Sequence, residues 1–367
     1  MSKLRVTLAQ IATRAGVHIT TVSLAMRDSA RLPEATRTRI QQLAREMGYI
    51  PDPALSALVA YRGTIQAPSY QSTIAWFNNY PDRQTIHSIH SFRIYLEGAG
   101  QRAEELGYKL EEFWQADPNL SPTALSRNLI ARGIRAIIVF PLASPGSLQE
   151  FPWHHYSALA LGYSLKHPTL HRVSSHQFIS ALILLRELRL LGYRRIGYFL
   201  PEVFDLRVNR GPSSAYYIYD RTIPAEEKVP ILLQHDFNDN TGLAEWIDQY
   251  RPEVIVTQDL QLRQWFIARK FRVPEDIGLA FFNIDPNEQV LSGMSQNDHQ
   301  IGRAAVDFIV AMLHRNERGV PTVAQNMLLD GEWIPHQTTR TVGPPASWLV
   351  EMPLSVDSDP PPPLMKS

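Results

Sequence analysis

Apolar and polar positions along this chain follow two different periods. Over the first 50 residues the period is helical. Leu8, Ile11, Ala12 and Ala15 recur at spacings of three and four, which predicts a short amphipathic helix. Thr7 stands just before it and Gln10 three residues on, a pairing in which the threonine caps the helix and the glutamine reaches back. Gly16 ends it. After the turn Gly16-Val17-His18, a second helix is predicted from Ile19 to Met26. A third runs from about Glu34 to Met47, with Pro33 at its start and Gly48 at its end. Two helices joined by so short a glycine-containing turn make a helix-turn-helix arrangement. Tyr49-Ile50-Pro51-Asp52-Pro53 then breaks the pattern. Residues 54–60 follow as a stretch too short to hold a helix alone in water, so it needs a partner to form.

From about residue 72 the pattern changes to alternating strands and helices. Strands are expected at 73–77, 109–113, 136–140, 158–161, 195–199, 254–257 and 279–282. Helices are expected at 91–106, 122–132, 177–191, 241–250, 261–271 and 298–315. Such alternation implies an α/β body with parallel sheets covered by helices on both faces. Leu106-Gly107-Tyr108 and Leu191-Gly192-Tyr193 each close a helix before a strand, an echo between two similar halves. The last 25 residues hold seven prolines and read as a disordered tail.

Composition narrows the classes. At about 100–200 residues per domain, 367 residues suggest two or three domains. With 44% hydrophobic and 20% charged residues, a disordered or fibrous chain is excluded. No apolar run approaches the ~20 residues that span a bilayer, and the N-terminus lacks a secretory apolar core, so a cytoplasmic protein is expected. The absence of cysteine removes disulfides, thiolate metal sites and cysteine nucleophiles. Net charge is zero, but residues 1–62 carry nine basic side chains against four acids, and the remainder 27 against 32. A basic head on a mildly acidic body suggests a polyanion partner for the head.

The run Thr7-Leu8-Ala9-Gln10-Ile11-Ala12, then Ala15-Gly16-Val17, Thr21-Val22-Ser23, Thr36-Arg37 and Gly48-Tyr49-Ile50-Pro51 resembles the head of the LacI family of bacterial transcriptional regulators. Gly192-Tyr193-Arg194-Arg195-Ile196-Gly197-Tyr198 and Val273-Pro274-Glu275-Asp276-Ile277-Gly278-Leu279 extend the resemblance into the body. It implies an all-helical DNA-binding head over residues 1–50 and a hinge helix and linker over 51–69. Residues 70–342 would then be a two-lobed periplasmic-binding-protein-like body with two parallel sheets, for effector binding and dimerisation, and 343–367 the tail. Small ligands would bind at the carboxyl ends of the parallel strands.

For the head, the resemblance implies a DNA-binding set of Thr7, His18, Ile19, Thr20, Thr21, Ser23, Leu24, Arg27 and Leu58. Ile19, Thr20 and Leu24 fall where side chains meet base edges, and Thr21 and Ser23 where they meet phosphate or sugar. His18 stands where a serine commonly caps the helix, and Leu24 where an arginine often reads guanine. Threonine and leucine can touch a thymine methyl but cannot make the bidentate bond of arginine to guanine. Leu24 has a second reading, as core with Val22, Ala25 and Met26. Leu58 matches a leucine that in this family enters the minor groove and kinks the duplex, and otherwise would be linker.

For the body, family position implies effector contacts at Asn79, Tyr80, Arg207 (in a loop), Phe237, Gln258, Asp259, Asn283 and Gln296. Amides, one acid and aromatic rings suit a hydroxyl-rich, carbohydrate-type ligand. Pro212 stands where an effector-binding arginine is frequent, so the ligand need not be that of a familiar member. His167 and His171 have the spacing of a helical metal pair, but Pro168 lies between them. No nucleophile elbow, P-loop or His-Glu-x-x-His motif is present, so neither an enzyme, a metal site nor a cofactor is expected. Two functions compete on this reading. One is a homodimeric, ligand-responsive repressor on a pseudo-palindromic operator of double-stranded DNA, away from any membrane. The other is a solute-binding protein of the same body fold.

Overall fold

The computed structural model describes residues 6–26, 32–49, 72–148, 150–235 and 240–346. Three helices open the chain: α1 (Leu8–Ala15), α2 (Ile19–Met26) and α3 (Glu34–Glu46). The expected capping box is formed. Thr7 Oγ1 accepts from the Gln10 amide at 3.3 Å, and the Thr7 amide donates to Gln10 Oε1 at 2.9 Å. Gly16 adopts φ +65°, a conformation without penalty only for glycine, and the Val17 amide returns to the Ala12 carbonyl. Ile11, Ala12, Ala15, Val22, Ala25, Ile40 and Ala44 form the small core of these helices.

The chain divides into two compact units, the first of which includes the helical head. The first, after the helical head, holds a six-stranded sheet in the order β13-β7-β5-β3-β1-β2. Its strands are β1 (Ser72–Asn78), β2 (Tyr108–Trp114), β3 (Ala136–Val139), β5 (Ser157–Leu161), β7 (His171–Ser175) and β13 (Asn326–Leu329), all paired in parallel. A two-stranded ribbon of β4 (Gly146–Ser147) and β6 (Leu165–His167) accompanies it. Helices α4 (Thr85–Ser88), α5 (His90–Glu105), α6 (Pro122–Ala131) and a late helix, α12 (Asp298–Arg315), belong to this unit.

The second unit holds α7 (Gln177–Leu190), β8 (Ile196–Pro201), α9 (Gly211–Asp220), β9 (Leu232–Gln234), α10 (Leu243–Tyr250), β10 (Val254–Thr257), α11 (Leu262–Ala268), β11 (Gly278–Phe281), β12 (Gly293–Ser295) and β14 (Glu332–Ile334). Its sheet runs β14-β12-β11-β10-β8-β9. One short helix, α8 (Glu202–Arg207), has its last two residues in the first unit.

Each sheet is buried on both faces, as parallel sheets require. Ile74 and Trp76 of β1 point into one core and Ala75 and Phe77 into the other. In the second unit, Ile196 and Tyr198 face one core, and Phe199 with Ile255 the other. The α5–α12 packing depends on glycine. A Cβ on Gly98 would overlap the His299 carbonyl, and one on Gly302 the Tyr95 carbonyl. The echo between halves is also structural, since Gly107 and Gly192 both take positive φ and the tyrosine after each is buried.

Several elements differ from expectation, most of them short strands. β7 is a strand although its sequence is polar, because β5 and β13 flank it on both edges. Helices α8 and α9 occupy a stretch that carries no clean apolar period. The expected tail starts attached to the second unit, where the Ala346 amide donates to the Arg189 carbonyl at 2.9 Å.

Candidate functional site

The turn and second helix of the head are held in place by α3. Arg39 Nη2 donates to the Ala15 carbonyl at 3.2 Å, satisfying a group that the end of α1 leaves open. Gln41, itself buried, donates to the Ala25 carbonyl near the end of α2 at 2.8 Å. Arg37 is buried and donates to the Leu32 carbonyl at 3.0 Å. Of these two arginines, Arg37 is turned into the fold, whereas Arg39 braces it while staying exposed.

On α2, Val22 and Ala25 are buried and Met26 closes the same core. The opposite side carries the residues implied in base contact. Ile19 is 42% exposed and Thr20 is exposed. Leu24 is half-buried, and among the described residues it is not one of the side chains packed on the head core. Thr21 and Ser23 are half-buried, and Thr7 is exposed. His18 takes over the capping role. Its Nδ1 accepts from the Thr20 amide at 3.4 Å and lies 2.8 Å from Thr20 Oγ1. Arg27 and Leu58 lie outside the described residues.

In the first body unit, β1 delivers Asn79 and Tyr80 to its carboxyl end. Asn79 is half-buried and turns back, its Nδ2 donating to the Phe77 carbonyl at 3.2 Å. Tyr80 is buried, and its hydroxyl accepts from Arg207 Nη2 at 3.0 Å. Burial raises the Tyr80 phenol above its ordinary pKa, with Arg207 opposing that shift. Arg207 is the last residue of α8, not a loop residue as expected, and its guanidinium sits 5.8 Å from the Phe92 ring. Phe92, Tyr95, Tyr80 and Phe140 form one aromatic group, with Phe92 and Phe140 edge to face at 4.6 Å. Tyr95 is raised well above its ordinary pKa, first by burial and then by Asp298, which bonds to it. Gln296 is buried just before Asp298. The structure thus joins Tyr80 to Arg207 and adds Phe92, Tyr95 and Asp298. Sequence reasoning missed these three, although Phe92 and Tyr95 share a helix face.

In the second unit, β10 and β11 pair in register, Thr257 opposite Phe281. Gln258, Asp259 and Asn283 consequently stand close together past the carboxyl ends of these two central strands. Asp259 is buried; one carboxylate oxygen accepts from the Gln261 amide at 2.9 Å, while Oδ2 is buried without a partner. Gln258 Oε1 is likewise buried and unpartnered. Such atoms are costly unless something binds them. Phe237 lies outside the described residues. Pro212 is buried in the first turn of α9.

His171 is buried, its Nδ1 accepting from the Gln325 amide at 2.9 Å and its Nε2 2.6 Å from Glu317. Both nitrogens serve the fold. Among the described residues, no three His, Cys, Asp or Glu side chains are grouped to hold a metal ion, and no helix is long and apolar enough to cross a membrane.

Residues 7–52 match the family of bacterial regulatory proteins, lacI family. No curated protein matches the chain. Among solved structures, the cellobiose complex of the transcriptional regulator CelR is 17% identical with a TM-score of 0.56, over 91% of this chain and 100% of that one. A transcription regulator like protein from Staphylococcus haemolyticus is 20% identical with a TM-score of 0.56, over 74% and 99%. The lac repressor dimer bound to operator and the anti-inducer ONPF is 17% identical with a TM-score of 0.52, over 92% and 99%. At these identities the likeness of the whole chain is one of fold.

Proposed function

We propose, from a head that matches the lacI family and a body with the fold of such regulators, that the chain is a sequence-specific DNA-binding transcriptional regulator. It acts as a repressor whose operator affinity changes when a small polar, carbohydrate-type ligand binds the body. The observation that carries this is the head itself: a capped helix-turn-helix, clamped by Gln41 and Arg39, whose second helix leaves Ile19 and Thr20 exposed. In helix-turn-helix docking that helix enters the major groove, and Thr7, His18, Thr21, Ser23 and Arg27 are assigned to backbone contacts.

Each head reads one half-site, so two copies are needed for a pseudo-palindrome, and we assign the body to dimerisation. Residues 51–69 form the hinge, with Leu58 as the minor-groove wedge. For the ligand, Asn79, Tyr80, Arg207, Gln258, Asp259, Asn283 and Gln296 supply donors and acceptors for hydroxyl groups, and Phe237 a ring face. CelR was solved with cellobiose, which supports the same class of ligand here. No catalytic step belongs to this reading. A solute-binding protein of the same body fold would leave the clamped head without a use.

The test is selection from random duplex DNA by the full-length protein, with light scattering of the product. The expected result is one pseudo-palindromic motif, with half-site centres about 10 base pairs or a multiple apart, bound by a dimer. No enriched motif, or a monomer with and without DNA, would refute it.

A further inference from the structure

The outward side of α2 is mostly hydrocarbon, which restricts how it can read a base sequence. Resting on the DNA-binding reading above, we propose that the head recognises its half-site chiefly through the 5-methyl groups of thymine, contacted by Ile19, Leu24 and the γ-methyl of Thr20. No bidentate hydrogen bond from α2 to a purine takes part.

Three observations combine. Ile19 is a large aliphatic side chain left 42% exposed at the first turn of the second helix. Leu24 is half-buried and, among the described residues, is not packed on the head core, whereas Val22, Ala25 and Met26 around it are. The Thr20 hydroxyl lies 2.8 Å from His18 Nδ1, which also accepts from the Thr20 amide. With Nδ1 as the acceptor, the hydroxyl proton stays within the protein. Thr20 and Leu24 are one turn apart and Ile19 adjoins Thr20, so the three share one side of the helix.

The N-terminal part of the second helix is what meets base edges in this docking mode. In the major groove, thymine alone offers a methyl group; the other bases offer only donors and acceptors. Hydrocarbon laid on those polar edges would remove water without replacing its hydrogen bonds. Laid on a methyl group, it buries apolar surface on both sides. The side chains therefore match thymine and disfavour guanine, cytosine and adenine at the contacted positions.

The experiment uses the full-length protein and the operator it selects. Each thymine of the half-site is replaced singly by deoxyuridine, which removes the methyl and leaves pairing and every other groove atom unchanged. Burying one such carbon is worth about 0.8 kcal/mol, or about fourfold in affinity. We expect losses near fourfold at two or three thymines. Ile19→Ala and Leu24→Ala should each abolish the sensitivity at one of them, and neither side chain is fully buried, so the head should fold. Equal affinity for every uracil-substituted operator would overturn the proposal and leave the DNA-binding reading standing. So would uracil sensitivity undiminished in both variants. A protein that selects no sequence at all would remove the DNA-binding reading, and this proposal with it.

Discussion

Gln41→Met tests whether the buried clamp from α3 sets the order of the second helix. The substitution nearly conserves volume but removes the 2.8 Å bond to the Ala25 carbonyl. A net hydrogen bond contributes about 1 kcal/mol, and a buried carbonyl left unsatisfied raises the cost to as much as ~3 kcal/mol. The head can ill absorb such a loss. Four of its buried core residues are alanines (Ala12, Ala15, Ala25 and Ala44), so little apolar area stabilises it. Amide exchange by mass spectrometry on the full chain reads the effect locally. Residues 19–26 should exchange about 5- to 150-fold faster, the factor set by ~1–3 kcal/mol of easier opening. Residues 74–77 of β1, in a separate core, should not change. Unaltered exchange over 19–26, or equal acceleration in β1, would refute the reasoning.

Leu58→Ala should weaken specific binding by about 1–3 kcal/mol, as a mismatched base pair does, and remove the operator bend in a circular-permutation gel. Unchanged affinity and bend would contradict the wedge. Arg207→Met removes a charged donor beside Tyr80 and should weaken binding of a sugar ligand by about 1.5–3 kcal/mol in calorimetry, while operator binding without ligand stays as it was. The same calorimetry with and without operator should give ligand affinities differing about 5- to 150-fold, and identical values would contradict coupling. Arg303, then Arg102, bond to Glu105 between α12 and α5 and hold its carboxyl at about 2, below the ordinary 4.5. A depressed folded value means stabilisation that is complete above about pH 4.5 and lost as pH falls toward 2. Glu105→Gln should therefore flatten the dependence of Tm on pH in that window, and only modestly, because the pair is half exposed. An unchanged slope would mean that the pair contributes nothing.

Much of this structure was legible in advance where a local rule and the tertiary environment agree. The Thr7–Gln10 box, Gly16 and the apolar runs of β1, β3 and β10 are of this kind. The failures share a cause. His171-Arg172-Val173-Ser174-Ser175 lacks a strand composition, yet two neighbouring strands impose one. α9 opens with proline in its first turn, a start that no clean apolar period marks in the sequence. The resemblance implies a loop at Arg207, which instead ends α8. Among the candidate effector residues, Tyr80, Asp259 and Asn283, implied by family position, stand just past the carboxyl ends of β1, β10 and β11. Tyr95 and Asp298 lie about 200 residues apart in sequence, and only the return of α12 onto α5 brings them together.

The central claim is sequence-specific recognition of DNA, and a ratio of affinities tests it most directly. The full-length protein is titrated at physiological salt against its selected operator and against a duplex of equal length and scrambled sequence. The account predicts that the operator binds at least about a thousandfold tighter, the lower end of the range for specific regulators. Equal affinities, falling together as salt rises, would show a head that holds phosphates without reading bases, and would contradict it.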